Sequence, residues 1–355
     1  MKKQLALAII ILPAFAFGFA LAWHGLFGVA GDALPAFDNA FLHVARARLI
    51  LDTGFFHESE LVFGTGITPT YHVPFYPALV AGFATLSGLD VFWAVRVVSL
   101  LQVLLLGIGF YALGKRISGG SSFAGAAAAF FAYNSVALMQ WGTRNTAISF
   151  GVVLVPLALY FVLQRWRVAA LLASLAIALD HPPSLLVLCL SLLLFTVASS
   201  LPALAPLLER KWRAAAAGVE WLGVACGLTA FLAYMAWHVR QTGLACLDFK
   251  CLPQAAAREF GKSIDLVGYI AKFPQILGVL GLFVAAFDRR IDYRAKLLFF
   301  SWLAACVLLV KNDALGAGVF TERFLTFLDE PLALAGGLLA GLVFATLAGE
   351  RRKAA

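Results

Sequence analysis

Long apolar runs follow one another from one end of the chain to the other, and this constrains the fold more than any other feature. They lie at 5–23, 92–114, 123–139, 147–163, 168–179, 184–199, 214–237, 269–287, 295–310 and 331–347. A bilayer core about 30 Å thick is crossed by roughly 20 helical residues, so ten such runs read as about ten transmembrane helices in an all-α polytopic membrane protein. Composition agrees: 62% of the 355 residues are hydrophobic and only 13% are Asp, Glu, Lys or Arg, against about 25% charged in soluble domains. That excludes a soluble enzyme on a single anchor and a secreted disulfide scaffold. Lys2 and Lys3 precede the first run, which is long enough to span and lacks a clear cleavage site, so an uncleaved helix is expected.

Direction follows from the basic residues, read loop by loop. An eleventh apolar piece, 74–89, decides the count. Read as an interfacial helix and not a span, it leaves 16 of the 27 Lys and Arg residues on one side, including Lys115, Arg116, Arg165, Arg167, Arg289, Arg290 and Arg294. Only 5 of the 19 acids accompany them. The expected arrangement is N-in/C-in, with both termini in the cytoplasm. The net charge of +8 is then a basic inner rim and gives no indication of nucleic acid. The whole chain, 1–355, reads as a single transmembrane domain. Its outer face carries a long first loop (24–91) with amphipathic helices and two further loops (238–272 and 311–330). With no internal repeat and nearly all charges at span ends, the alternative of a transporter or flippase for a lipid-linked glycan has little support.

The polar chemistry gathers on the outer face. Residues 37–56, FDNAFLHVARARLILDTGFF, suit an amphipathic interfacial helix begun by Asp38, with Phe41, Leu42, Ala45, Leu49 and Leu51 as its apolar face and His43 and Arg46 within two turns. Arg144 and Asn145 sit in the short turn 141–146. Asp180 and His181 precede Pro182-Pro183, a pair that also ends a helix without any chemistry. Arg323 follows Glu322 before the last run. Cys189, Cys226 and Cys306 fall inside apolar runs as small packing residues, whereas Cys246 and Cys251 share an outer loop.

The order of these pieces resembles the GT-C fold membrane glycosyltransferases, in particular archaeal relatives of the oligosaccharyltransferase catalytic subunit. The resemblance rests on Asp38, His43, Ala45, Arg46, Thr53, Gly54, Tyr71, Pro74 and Pro77, continues through 119–161 and returns in TERFLTFLDEPLALAGGLLAG. It implies sugar transfer from a polyprenyl phosphate or pyrophosphate carrier to a lipid, glycan or protein acceptor. Asp38 matches the family's first-loop acid, the base. Arg144 and Arg323 suit a donor phosphate, because a guanidinium grips phosphate oxygens bidentately. His43, Arg46, Tyr71, Asn145, Asp180, His181 and Glu322 are supporting residues. Two departures matter. No acid stands between Asp90 and Asp180, where the family's second metal-binding acids belong, so no cofactor is expected and a divalent metal would need a rebuilt site. The Trp-Trp-Asp-Tyr-Gly acceptor motif of the family's soluble C-terminal domain is missing, so a complete oligosaccharyltransferase is not expected. A noncatalytic relative that binds the lipid carrier is the remaining alternative.

Overall fold

The computed structural model describes residues 38–54, 59–61, 67–69, 75–142, 147–200, 222–233, 235–236, 239–240, 263–270, 272–316 and 321–347. The helices are α1 (Asp38–Thr53), α2 (Phe75–Ser87), α3 (Val91–Ile117), α4 (Ser122–Asn134), α5 (Val136–Gly142), α6 (Ala147–Gln164), α7 (Arg167–Ala178), α8 (Pro182–Ser200), α9 (Leu222–Ala233), α10 (Leu266–Ile270), α11 (Phe273–Phe287), α12 (Tyr293–Val310) and α13 (Thr321–Leu347). Three of them, α3, α12 and α13, are long and apolar enough to cross a membrane by length and composition, and α2, α6–α9 and α11 are shorter apolar helices. The molecule is an integral membrane protein.

Among the described residues one feature departs from the all-α expectation. Strands β1 (Ser59–Leu61) and β2 (Ile67–Pro69) pair antiparallel in the first loop, Glu60 opposite Thr68. Outside a helix, backbone amides and carbonyls still need partners, and a short hairpin supplies them locally.

Sequence signals account for the helix ends. Asp90 caps α3 by accepting from the Phe92 amide at 2.9 Å, and Lys115 and Arg116 occupy its last turn, where the dipole favours cations. Gly120, at φ +99°, turns the chain towards Ser121, which caps α4 through the Ala124 amide. Asp292 caps α12 in the same way, accepting from Ala295 at 2.8 Å.

Two apolar cores divide the protein. The larger joins α3–α8 with α11–α13. Close seams join α13 to α11, where a Cβ added at Gly281 would run into the Ala335 backbone, and to α4, where one at Gly337 would run into the Ala128 backbone and one at Gly341 into that of Ala124. Small residues let these backbones approach, which is how packing contacts accumulate where lipid offers no hydrophobic drive between helices. The smaller core holds Val44 and Ala47 of α1, Tyr76, Val80, Ala81 and Ala84 of α2, the first turns of α3, and Phe150 of α6. The 74–89 piece is thus a helix packed with α1 beside the bundle, consistent with its interfacial reading.

The two ends of the bundle are distinct. At one, Arg116 pairs with Asp292 at 2.8 Å and Arg294 donates to the Val162 carbonyl, so three of the basic loops meet. At the other, the Phe75 amide donates to the Leu179 carbonyl and Lys311 Nζ to the Ile264 carbonyl.

Candidate active site

The second end is where the residues singled out from sequence lie. Asp38 opens α1; its side chain, together with Tyr71, Arg144 and Asn145, falls outside the described residues. The buried face of α1 is not the apolar one. His43, Val44, Arg46 and Ala47 are buried while Ala45 is exposed and Leu49 and Leu51 are only half-buried. The helix is held by its neighbours, its turns resting on α2 with Arg48 reaching Asp52 and the Asp90 cap of α3, so the fit of side chains against those neighbours decides which face turns inward. The helix thereby carries a histidine and an arginine inward.

Tyr76, in the first turn of α2, is the junction. Its ring is fully buried and meets the His43 ring edge-on at 5.3 Å and the Phe150 ring at 5.8 Å. Phe150 lies one turn into α6, directly after the turn that carries Arg144. The Ser149 hydroxyl of α6 donates to the Trp141 carbonyl of α5 at 2.7 Å. The Tyr76 hydroxyl is raised well above its ordinary value, chiefly by burial, with Asp180 adding to it and Ser99 opposing.

Asp180 stands in the turn between α7 and α8, 1% exposed, and neither carboxylate oxygen has a hydrogen-bond partner among the described residues. Burial pushes its carboxyl well above the usual range. A carboxyl in that setting holds its proton until something charged or hydrogen-bonding approaches. The adjacent His181 is also buried; its Nδ1 lies 2.7 Å from Ser184 Oγ, and its ring stacks on Phe327 of α13 with centroids 6.3 Å apart. Arg323, half-buried, is one turn before Phe327 on α13, beside exposed Glu322.

The supporting residues from four separate stretches therefore converge. The helix begun by Asp38 touches Tyr76 through His43, the Phe75 amide beside Tyr76 bonds to the Leu179 carbonyl beside Asp180, and His181 reaches the helix of Arg323. Chemically, the cluster offers a buried carboxyl, an imidazole and a phenol, a set suited to holding and moving a proton. Tyr76 and Ser99 are absent from the sequence-derived site, as is Arg96, which is 6% exposed with its guanidinium 4.8 Å above the Trp93 ring. The signal was available: Arg96 is the one charge inside the apolar run 92–114, with Ser99 one turn below it. Among the described residues no three His, Cys, Asp or Glu side chains gather as metal ligands.

No family model matches the chain, and no curated protein matches it in sequence. Solved structures do. Archaeoglobus fulgidus oligosaccharyltransferase in its apo form superposes with a TM-score of 0.64 at 12% identity, over 99% of this chain and 52% of that one. AglB of the same organism, in complex with an inhibitory peptide and a dolichol-phosphate, gives 0.64 and 12% over 98% of this chain and 51% of the other. ArnT from Cupriavidus metallidurans bound to undecaprenyl phosphate gives 0.59 and 16%, covering 98% and 60%. This chain spans about half the length of the oligosaccharyltransferase chains. From the first interfacial helix to the last apolar helix, it has the GT-C fold of these membrane glycosyltransferases.

Proposed function

We propose that the protein is a glycosyltransferase that moves a sugar from a polyprenyl phosphate or pyrophosphate carrier to a lipid, glycan or protein acceptor at the outer face of the cell membrane. In this reading Asp38 accepts the proton of the acceptor nucleophile as that atom bonds to the sugar's anomeric carbon. The bond to the carrier phosphate breaks, and its negative charge is taken up by Arg144 and Arg323. His43, Arg46, Tyr71, Asn145, Asp180, His181 and Glu322 shape and polarise the surroundings.

The observation that carries the reading is that α1, the first turns of α6, the 179–181 turn and α13 all make contacts with the Tyr76–Asp180–His181 segments. It is supported by a fold shared with two proteins whose structures hold dolichol-phosphate and undecaprenyl phosphate. Guanidinium groups bind a phosphate without a metal, so the carrier site is built from this chain's own cations, and no metal is assigned a role.

The test is transfer of labelled sugar from polyprenyl phosphate donors in membranes containing the full chain. Asp38→Asn, which keeps size and helix start but removes the base, is expected to lower transfer by about 10²–10⁴-fold while the protein still folds and inserts. Undiminished transfer by that variant removes Asp38 from the chemistry. Donor binding without turnover across all donors and acceptors supports the noncatalytic carrier-binding alternative.

A further inference from the structure

Away from the Tyr76–Asp180 cluster, a second group of buried polar side chains gathers where the apolar run 123–139 breaks into α4 and α5. Ser135 sits at the break in extended conformation, φ −76° and ψ 112°. Its hydroxyl accepts from the Leu138 amide at 3.3 Å and donates to Asp329 Oδ2 at 3.2 Å. From α11, Gln275 Nε2 donates to Asp329 Oδ1 at 3.1 Å. Asp329 is 2% exposed and, among the described residues, accepts these hydrogen bonds without forming an ion pair.

Between these groups lies a cavity of about 10 Å³ lined by Phe131, Ser135, Gln275, Asp329, Leu332 and Ala333, room for one guest the size of a water molecule. Gln275 is itself nine-tenths buried, and its Oε1 has no hydrogen-bond partner among the described residues. Apart from Gln275 Nε2, which is engaged by Asp329, the polar groups of the wall are negative or electron-rich: the Asp329 carboxylate, the Gln275 carbonyl oxygen, the remaining lone pair of Ser135, and the carbonyl end of α4, the negative pole of its dipole. The nearest cation on this side, Lys272, is exposed, with its ammonium 5.0 Å over the Tyr269 ring. An uncompensated carboxylate inside a membrane protein is costly. A neutral water leaves that charge in place; a small cation offsets it.

We propose that this cavity binds a single monovalent cation of the size of Na⁺, held by Asp329, Gln275 Oε1 and Ser135 at the end of α4. The donor set is all oxygen and carries one carboxylate, so a single positive charge balances it. A divalent ion would leave a positive charge unbalanced by the one carboxylate, and Mg²⁺ also gives up its waters reluctantly. The ion ties the α4–α5 break to α11 and α13, so its effect is on the stability and rigidity of that corner. It stands apart from the transferase reading and survives that reading's failure.

Thermal unfolding of the purified full chain in detergent tests it, at one ionic strength, in NaCl, KCl and N-methyl-D-glucamine chloride. Na⁺ is expected to raise the midpoint saturably by about 2–4 °C, K⁺ less, and N-methyl-D-glucamine not at all. Gln275→Leu, which removes a ligand and leaves the carboxylate, is expected to abolish the Na⁺ dependence, as is Asp329→Asn where it folds. Equal midpoints in the three salts overturn the site, equal shifts with K⁺ overturn the size assignment, and an undiminished Na⁺ shift in Gln275→Leu overturns the location.

Discussion

Asp180 shows how far a single buried carboxyl can be read. Its folded-state pKa is raised by burial, so between about pH 4, where an unfolded Asp titrates, and that raised value the native state holds a proton that the unfolded state has released. With more protons bound in the native state, stability falls as pH rises through this window and is fully present below it. Asp180→Asn keeps the shape and has no proton to lose. Its midpoint relative to wild type is therefore expected to climb from pH 4 towards neutrality, by at most about 1.4 kcal/mol per pH unit. Parallel pH profiles for the two proteins refute that role. Arg323 offers a second test at this scale. If its fork grips the carrier phosphate, Arg323→Lys keeps the charge but loses the bidentate geometry, and KM for the donor is expected to rise by about tenfold, with a larger rise in Arg323→Ala. A change confined to kcat would place Arg323 elsewhere in the reaction. His43 and Arg46 show the limit of reading one helix by itself. The apolar residues of 37–56 point to one face, and the packing of α1 on Tyr76 selects another.

The helices themselves were largely visible as apolar runs: 92–114 became α3, 147–163 became α6, 168–179 became α7, and 295–310 became α12. What the runs hid is where they break. The run 123–139 is interrupted at Ser135, because one serine hardly dilutes a long apolar stretch, yet its hydroxyl, which accepts from the Leu138 amide, competes for backbone hydrogen bonds and ends a helix. Helix α13 likewise begins at Thr321, ten residues before the apolar run 331–347. Asp329 and Glu330 consequently sit inside a helix and inside the core. The close seam of α4 and α13 gives the prediction at this scale. Gly337→Val pushes a Cβ bearing two methyl groups into the Ala128 backbone, which cannot move as a flexible side chain can. The expected loss is about 1–3 kcal/mol of stability from overpacking, read as a lowered unfolding midpoint in detergent. The same change at Gly82, where nothing lies within 4 Å of an added Cβ, controls for loss of glycine alone. Equal losses at both positions contradict close approach as the reason for glycine at 337.

At the scale of the whole molecule, the distribution of charge and the packing give one account of sidedness by separate routes. Lys and Arg divide between loops by the positive-inside tendency, a property of insertion. The contacts divide the loops again by geometry: Arg116 meets Asp292 and Arg294 meets Val162 at one end, while Phe75 meets Leu179 and Lys311 meets Ile264 at the other. Both routes put the basic loops together and the candidate site opposite them, a division that survives only if the 74–89 helix does not span, since one more crossing would exchange every later loop. We infer that the basic end is cytoplasmic, which makes the site accessible from outside. Single cysteines in a background lacking the five native ones test this with a membrane-impermeant thiol reagent. Leu315→Cys, at a position 71% exposed beside Lys311, is expected to label in intact cells. Arg289→Cys, exposed in the 288–292 turn, is expected to label only after permeabilisation. The reverse pattern would turn the protein over and move the proposed chemistry to the cytoplasmic face, where a different pool of acceptors would meet Asp38.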